Sequence, residues 1–176
     1  MVAKRRRTID LNPEYTGAIN RIAEYLTEDA PLYGFMLKGS VGNGKTVLLE
    51  ALNEMTNHLV RAGASDTRFI FKLVTAQEIV DAYLRDKAAY TALLQSDYVI
   101  VDELGDEPLQ VQEYGTPACP IHNFFYERYR RIKFTVIGTN LTTSAISKRY
   151  DERLVDRFKE MYPKSARIEF THESYR

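Results

Sequence analysis

At 176 residues, with 44% hydrophobic and 27% charged content, the chain has the length and composition of one ordinary folded domain. No apolar run approaches the roughly 18 residues a membrane span requires, and the basic cluster 4-KRRR-7 lacks the apolar stretch that would follow it in a secretory signal. Formal net charge is zero and Cys119 is the only cysteine, which rules out an internal disulfide, fits a cytoplasmic setting and leaves any nucleic-acid contact to local patches.

Pro13 opens a stretch, 13–29, in which Ile19, Ile22, Ala23 and Leu26 recur at helical spacing and predict an amphipathic helix. Residues 31–39, PLYGFMLKG, predict a turn and a short buried strand. Helical spacing resumes over 45–62 through Val47, Leu48, Ala51, Leu52, Met55 and Leu59, and stops at Gly63. A second strand is expected over 68–74, then a helix over 76–90 capped by Thr75, and a third strand over 98–104. A helix over 120–132 leads to a fourth strand over 133–139. Helical segments at 143–149 and 151–161 and a fifth strand at 166–171 complete the series. Strands alternating with helices imply a parallel sheet covered on both faces, hence a three-layer α/β/α domain. The expected division is an N-terminal basic tail and helix over 1–30 and a single core over 31–176. Two basic stretches, 4-KRRR-7 and 128-RYRRIK-133, read either as a solvated tail and a helix end complementing its dipole, or as contacts for nucleic acid.

Between the first strand and the second helix lies 39-GSVGNGKT-46, a full match to the phosphate-loop pattern G-x-x-x-x-G-K-[ST]. Backbone N–H groups at a helix N-terminus bind phosphate best where no side chain obstructs them, which Gly39, Gly42 and Gly44 provide. Lys45 adds a compact positive charge and Thr46 a hydroxyl for Mg²⁺; Val41, Asn43 and Val47 complete the set of expected nucleotide contacts. At average glycine usage of about 7%, chance supplies this pattern in roughly one such chain in two hundred.

At 98-YVIVDE-103 an apolar strand ends in two carboxylates. Open α/β sheets bind ligands at the carboxyl ends of their strands, so Asp102 is expected beside the loop as a Mg²⁺ anchor and Glu103 as the base that polarises water. An acidic turn closing a buried strand is the plainer reading. The strand 135-TVIGT-139 leads to Asn140, either a helix-entry residue or an amide directed at the γ-phosphate. In 151-DERLVDRFKEM-161, Arg153 and Arg157 share a helical face, either in surface ion pairs or as arginines inserted into a neighbour's site. A small-molecule kinase would carry an arginine-rich lid before the fourth strand, but 103–120 is acidic and proline-bearing. A pure nucleotide sensor, with little hydrolysis, needs neither Glu103 nor Arg157.

With GSVGNGKT at 39–46, VIVDELGDEP at 99–108, TVIGTNLT at 135–142, YDERLVDRF at 150–158 and ESYR at 173–176, the chain resembles the AAA+ ATPases. Within them it resembles the DnaC/DnaI-type helicase loaders and the IstB transposition helper ATPases. The resemblance implies an AAA+ (ASCE-class P-loop NTPase) domain with a five-stranded parallel sheet and no C-terminal helical lid. It implies ATP with Mg²⁺, and a hydrolytic site shared between neighbours in a ring or spiral. Lys45 and Thr46 fall in its Walker A motif, Asp102 and Glu103 in Walker B, and Asn140 at sensor 1. Arg157 matches the arginine finger and Arg153 a second arginine of that motif. Partners implied are single-stranded DNA and a replicative helicase for the loaders, or duplex DNA and a transposase for the IstB type. The 128–133 and 75–95 segments are the candidate DNA contacts, and Ile9 to Tyr15 with Tyr33-Gly34 the candidate adenine contacts.

Overall fold

The structure, a computed structural model, describes residues 13–27, 33–63 and 70–171. Chain order begins with α1 (Pro13–Thr27), β1 (Met36–Gly39), α2 (Lys45–Arg61), β2 (Lys72–Thr75), α3 (Ala76–Arg85), α4 (Lys87–Gln95) and β3 (Tyr98–Leu104). It continues with β4 (Val111–Glu113), β5 (Thr116–Ala118), α5 (Pro120–Arg130), β6 (Phe134–Thr139), α6 (Thr143–Arg149), α7 (Glu152–Met161) and β7 (Arg167–Phe170).

Strand residues alternate between two apolar layers, because successive side chains leave a strand on opposite faces. Met36, Val99, Val101 and Ile137 enter one layer, covered by α3 to α7. Leu37, Ile100, Val136 and Ile168 enter the other, covered by α1 and α2. The sheet order is β2-β3-β6-β1-β7, with every pairing parallel. This is the expected three-layer α/β/α arrangement with five parallel strands. Among the described residues no helix is long and apolar enough to cross a membrane.

Local differences from expectation have local causes. The helix expected over 76–90 starts in a capping box between Thr75 and Glu78, as its sequence predicts. It then breaks at Asp86, whose side chain accepts the Ala89 N–H and starts α4 instead. The strand expected over 68–74 is described only from residue 70 and pairs over Lys72–Thr75. The first strand is shorter than 31–39, although the Tyr33 and Phe35 carbonyls extend its pairing to Thr135 and Ile137. The β4–β5 hairpin was not expected at all. Its two-residue turn puts Tyr114 at φ 50 and Gly115 at φ 81, and a tyrosine there carries none of the usual Asn-Gly turn signal.

Candidate functional site

After Gly39 the chain curls through 40–44 into α2. Gly39, Gly42 and Gly44 adopt φ of 153, 87 and 89, backbone that glycine tolerates best. At Gly39 a Cβ would collide with Asn43 Nδ2 and stand 2.6 Å from the Phe170 carbonyl oxygen; at Gly44 one would stand 2.9 Å from the Tyr15 ring. Asn43 is fully buried and donates from Nδ2 to the Phe170 carbonyl at 3.4 Å, anchoring the loop to β7. Gly44 is the N-cap of α2 and offers no side chain to cap it, so the amides of the first turn, Lys45 to Val47, have no acceptor within the helix. Such an end is an anion seat.

Lys45 Nζ donates to the carbonyls of Gly39 at 2.7 Å and Ser40 at 2.8 Å, and to Asn43 Oδ1 at 3.0 Å. Burial lowers this ammonium to about 8, while the Asp102 charge opposes the shift. The loop lysine and the carboxylate of β3 therefore share one electrostatic neighbourhood. Val41 is exposed on the loop, and Thr46 and Val47 are half-buried at the start of α2.

Along β3, Val99 to Asp102 are buried and Glu103 is exposed. The register against β6 shifts between Val101 and Leu104, and within that bulge Glu103 takes a φ of 56. Left-handed backbone at a non-glycine residue costs on the order of 1 kcal/mol. Asp102 Oδ1 accepts the Glu103 N–H at 2.8 Å within the same turn. The bulge turns Glu103 out of the sheet while Asp102 stays in it.

Strand β6 lies between β3 and β1, so exposed Asn140 leaves the sheet between the carboxylates and the loop. Thr139 Oγ1 donates to the Leu104 carbonyl at 2.6 Å and accepts the Leu141 N–H at 3.0 Å, tying this exit to the end of β3. At Gly138 a Cβ would collide with Asp102 Oδ1 and stand 2.7 Å from Leu49 Cδ1. Asp102 occupies the space that this glycine leaves open.

Arg153 and Arg157 lie elsewhere. Their helix packs through Leu154, Val155, Phe158 and Met161 into the layer on the opposite sheet face from α2. Arg153 is exposed. Arg157 stacks 4.6 Å from the Tyr129 ring centroid and donates to Glu160 at 3.0 Å.

Two expected contacts are corrected. Tyr33 and Gly34 precede β1, so six residues of extended chain, about 20 Å, separate Tyr33 from the loop. Tyr33 instead stacks on Tyr129 with ring centroids 5.5 Å apart. On the same count Tyr33-Gly34 cannot hold a base whose phosphates occupy the loop. Of the other adenine candidates Pro13, Glu14 and Tyr15 are described; Tyr15 is buried, with its hydroxyl 3.5 Å from the Gly44 carbonyl. The basic segment 128–133 is also only partly open: Arg130 and Arg131 are exposed, but Arg128 is not available for contact. Arg128 is fully buried, donating to Thr135 Oγ1 and to the carbonyls of Leu93, Ser96, Asp97 and Phe134. Burial lowers its pKa to about 10, against the opposing influence of Tyr162 and Asp97. Arg130 and Arg131 pair with Glu127, and Lys133 with Asp97. The 4-KRRR-7 cluster lies outside the described residues. In the 75–95 segment Lys87 pairs with Glu113, whereas Arg85 is exposed at the end of α3.

The anchoring role of Asn43, the space at Gly138 and the contact of Tyr15 carry no signal in the sequence, since each depends on a distant partner. Nor does Glu107, buried just beyond the bulge, whose partners Arg149 and Tyr150 lie 42 and 43 residues away.

No protein-family model matches the chain, and no curated protein matches it. Solved structures do. The DnaC helicase loader superposes with a TM-score of 0.67 at 19% identity, over 93% of this chain and 94% of that one. DnaI superposes with a TM-score of 0.67 at 20% identity, over 96% and 88%. The replication initiator DnaA bound to AMPPCP and single-stranded DNA gives 0.59 at 19% identity, over 94% of this chain and 52% of that one. At these identities the similarity is one of fold.

Proposed function

We propose that this chain, which has the fold of the DnaC- and DnaI-type AAA+ proteins, is an ATPase of the helicase-loader kind that grips single-stranded DNA when assembled. One observation carries the reading. The order β3-β6-β1 gathers the carboxylates, Asn140 and the glycine loop at the carboxyl ends of three adjacent strands. Ligands bind there in open α/β sheets.

The residues present fit a magnesium-bound triphosphate. The loop offers a glycine backbone at positive φ, bare of side chains at 39, 42 and 44, and uncapped first-turn amides. Thr46 and Asp102 are the hard oxygen donors that magnesium prefers, and they would hold it. Magnesium there would neutralise charge on the phosphate oxygens. Phosphate oxygens compete with the Gly39 and Ser40 carbonyls for the Lys45 protons, moving that charge onto the nucleotide. Glu103 accepts a proton from the attacking water, and Asn140 orients that water. Since α7 covers the opposite face from α2, Arg157 and Arg153 serve a neighbouring copy, where a guanidinium stabilises charge on the transferring phosphoryl group. The resulting assembly is a ring or spiral, with a replicative helicase as its protein partner. Buried Arg128 is withdrawn as its DNA contact; exposed Arg130 and Arg131 and the 75–95 segment are retained.

Turnover of ATP, measured alone, with single-stranded DNA and with duplex, tests this. Wild-type protein should be stimulated by single strands. Glu103→Gln should still bind ATP, with turnover lowered about 10²- to 10⁴-fold. Stimulation by duplex alone would favour a transposition helper, and tight binding without turnover would reduce the protein to a nucleotide sensor.

A further inference from the structure

Glu107 has a carboxylate that none of the proposed chemistry uses. It is only 1% exposed. A buried carboxylate is costly unless its oxygens are satisfied, and here both are. Oε2 accepts the Gly105 N–H at 2.7 Å. Oε1 accepts the Tyr150 hydroxyl at 2.6 Å and stands 3.5 Å from Arg149 Nη2, which also donates to the Glu107 carbonyl. Burial, reinforced by the Glu107 charge, pushes the Tyr150 hydroxyl well above its usual range, so it remains a donor at any working pH.

The two ends of this link differ in what they carry. Gly105 lies two residues after Glu103, in the turn closed by the Asp106 N–H to the Glu103 carbonyl at 3.1 Å. Arg149 ends α6 and Tyr150 follows it. The next residue, Asp151, caps α7 by accepting the Leu154 N–H at 2.8 Å, and α7 carries Arg153 and Arg157. Tyr150 also packs on Phe158, one residue beyond Arg157, with ring centroids 6.1 Å apart. One carboxylate thus joins the strained turn that aims Glu103 to the corner that aims the α7 arginines.

We infer that Glu107 is a positioning residue that couples the Glu103 turn, acting on the chain's own nucleotide, to the α6–α7 corner, acting on the neighbour's. This rests on the ATPase reading proposed above. A shift at Gly105 when Glu103 engages water passes through Glu107 to Tyr150 and Asp151, and so to the arginines.

The test compares wild type, Glu107→Gln, Tyr150→Phe and the double variant, by steady-state ATP turnover and by amide hydrogen exchange. Glu107→Gln keeps shape but replaces an acceptor with a donor; Tyr150→Phe removes one hydroxyl and leaves Glu107 its other partners. Each single variant should lower kcat about tenfold, the scale of one lost charge-assisted hydrogen bond. KM for ATP should stay within about twofold, since the glycine loop is untouched. The double variant should be no worse than the worse single, because both cut the same link. Exchange should quicken at 103–107 and at 152–157 in both single variants. Unchanged kcat, losses that multiply, or exchange confined to one segment would overturn the coupling. Absence of wild-type turnover would count against the ATPase reading instead, and exchange at the two segments would then decide the coupling by itself.

Discussion

Lys45 shows how a single residue ties the site's structure to its chemistry. Burial holds its pKa near 8. On the proposed reading, triphosphate charge beside it would favour the ammonium and raise that value. The sign follows: affinity for ATP is level below about pH 8 and falls above it, and binding at pH 8 draws about half a proton per site from solution. Calorimetric titration in two buffers of different ionisation enthalpy reads that uptake; zero uptake at pH 8 would contradict the role. Arg128 makes the opposite point. In the sequence it belongs to a basic run, yet its guanidinium holds together the carbonyls where α4, β3 and β6 meet. Arg128→Ala should cost about 3 kcal/mol or more in chemical denaturation, because buried carbonyls lose their donor. A loss under about 1 kcal/mol together with weakened DNA binding would return Arg128 to the surface reading. The loop residues were legible because their chemistry lies in eight consecutive positions. Arg128, Glu107 and the anchoring of Asn43 to β7 were not, because what they do is defined by partners remote in the chain.

At the scale of elements, the strands were legible as short apolar runs and the helices from their spacing, and errors gathered where capping and turn geometry compete with periodicity. Asp86 splits an apparently continuous helix by offering its carboxylate to Ala89, and Tyr114 turns a hairpin without the residues that announce one. The bulge in β3 was equally hidden, although it decides that Asp102 and Glu103, adjacent in sequence, differ in burial and direction. Gly138 in β6 is the complement of that bulge. Gly138→Ala would press a methyl group against Asp102 and Leu49. It should destabilise the fold by about 1–3 kcal/mol through overpacking. On the proposed reading it should also lower turnover at least about tenfold, because displacing the carboxylate proposed to hold magnesium spoils the alignment on which the reaction depends. Turnover equal to wild type in a folded Gly138→Ala protein would show that Asp102 does not need this space.

On the scale of the whole molecule, the sheet separates the two groups of residues assigned to the proposed shared site. The glycine loop, Asp102, Glu103 and Asn140 collect at the carboxyl ends of the central strands, while α7 and its arginines cover the face away from α2. The spacing of Arg153 and Arg157 made a shared helical face legible, but only the fold shows which side of the sheet that helix covers. Arg157 is meanwhile engaged with Tyr129 and Glu160 of its own chain, contacts that the proposed role at a neighbour's site would require it to exchange. The central claim is that one chain supplies the nucleotide pocket and the next supplies the arginine. Turnover in a mixture of Lys45→Ala and Arg157→Ala proteins tests it most directly. Each variant alone should be inactive, and an equal mixture should regain activity at about one quarter of its interfaces, those joining an intact pocket to an intact arginine in a head-to-tail assembly. A mixture no more active than either variant alone, or Arg157→Ala protein as active as wild type, would contradict the shared site.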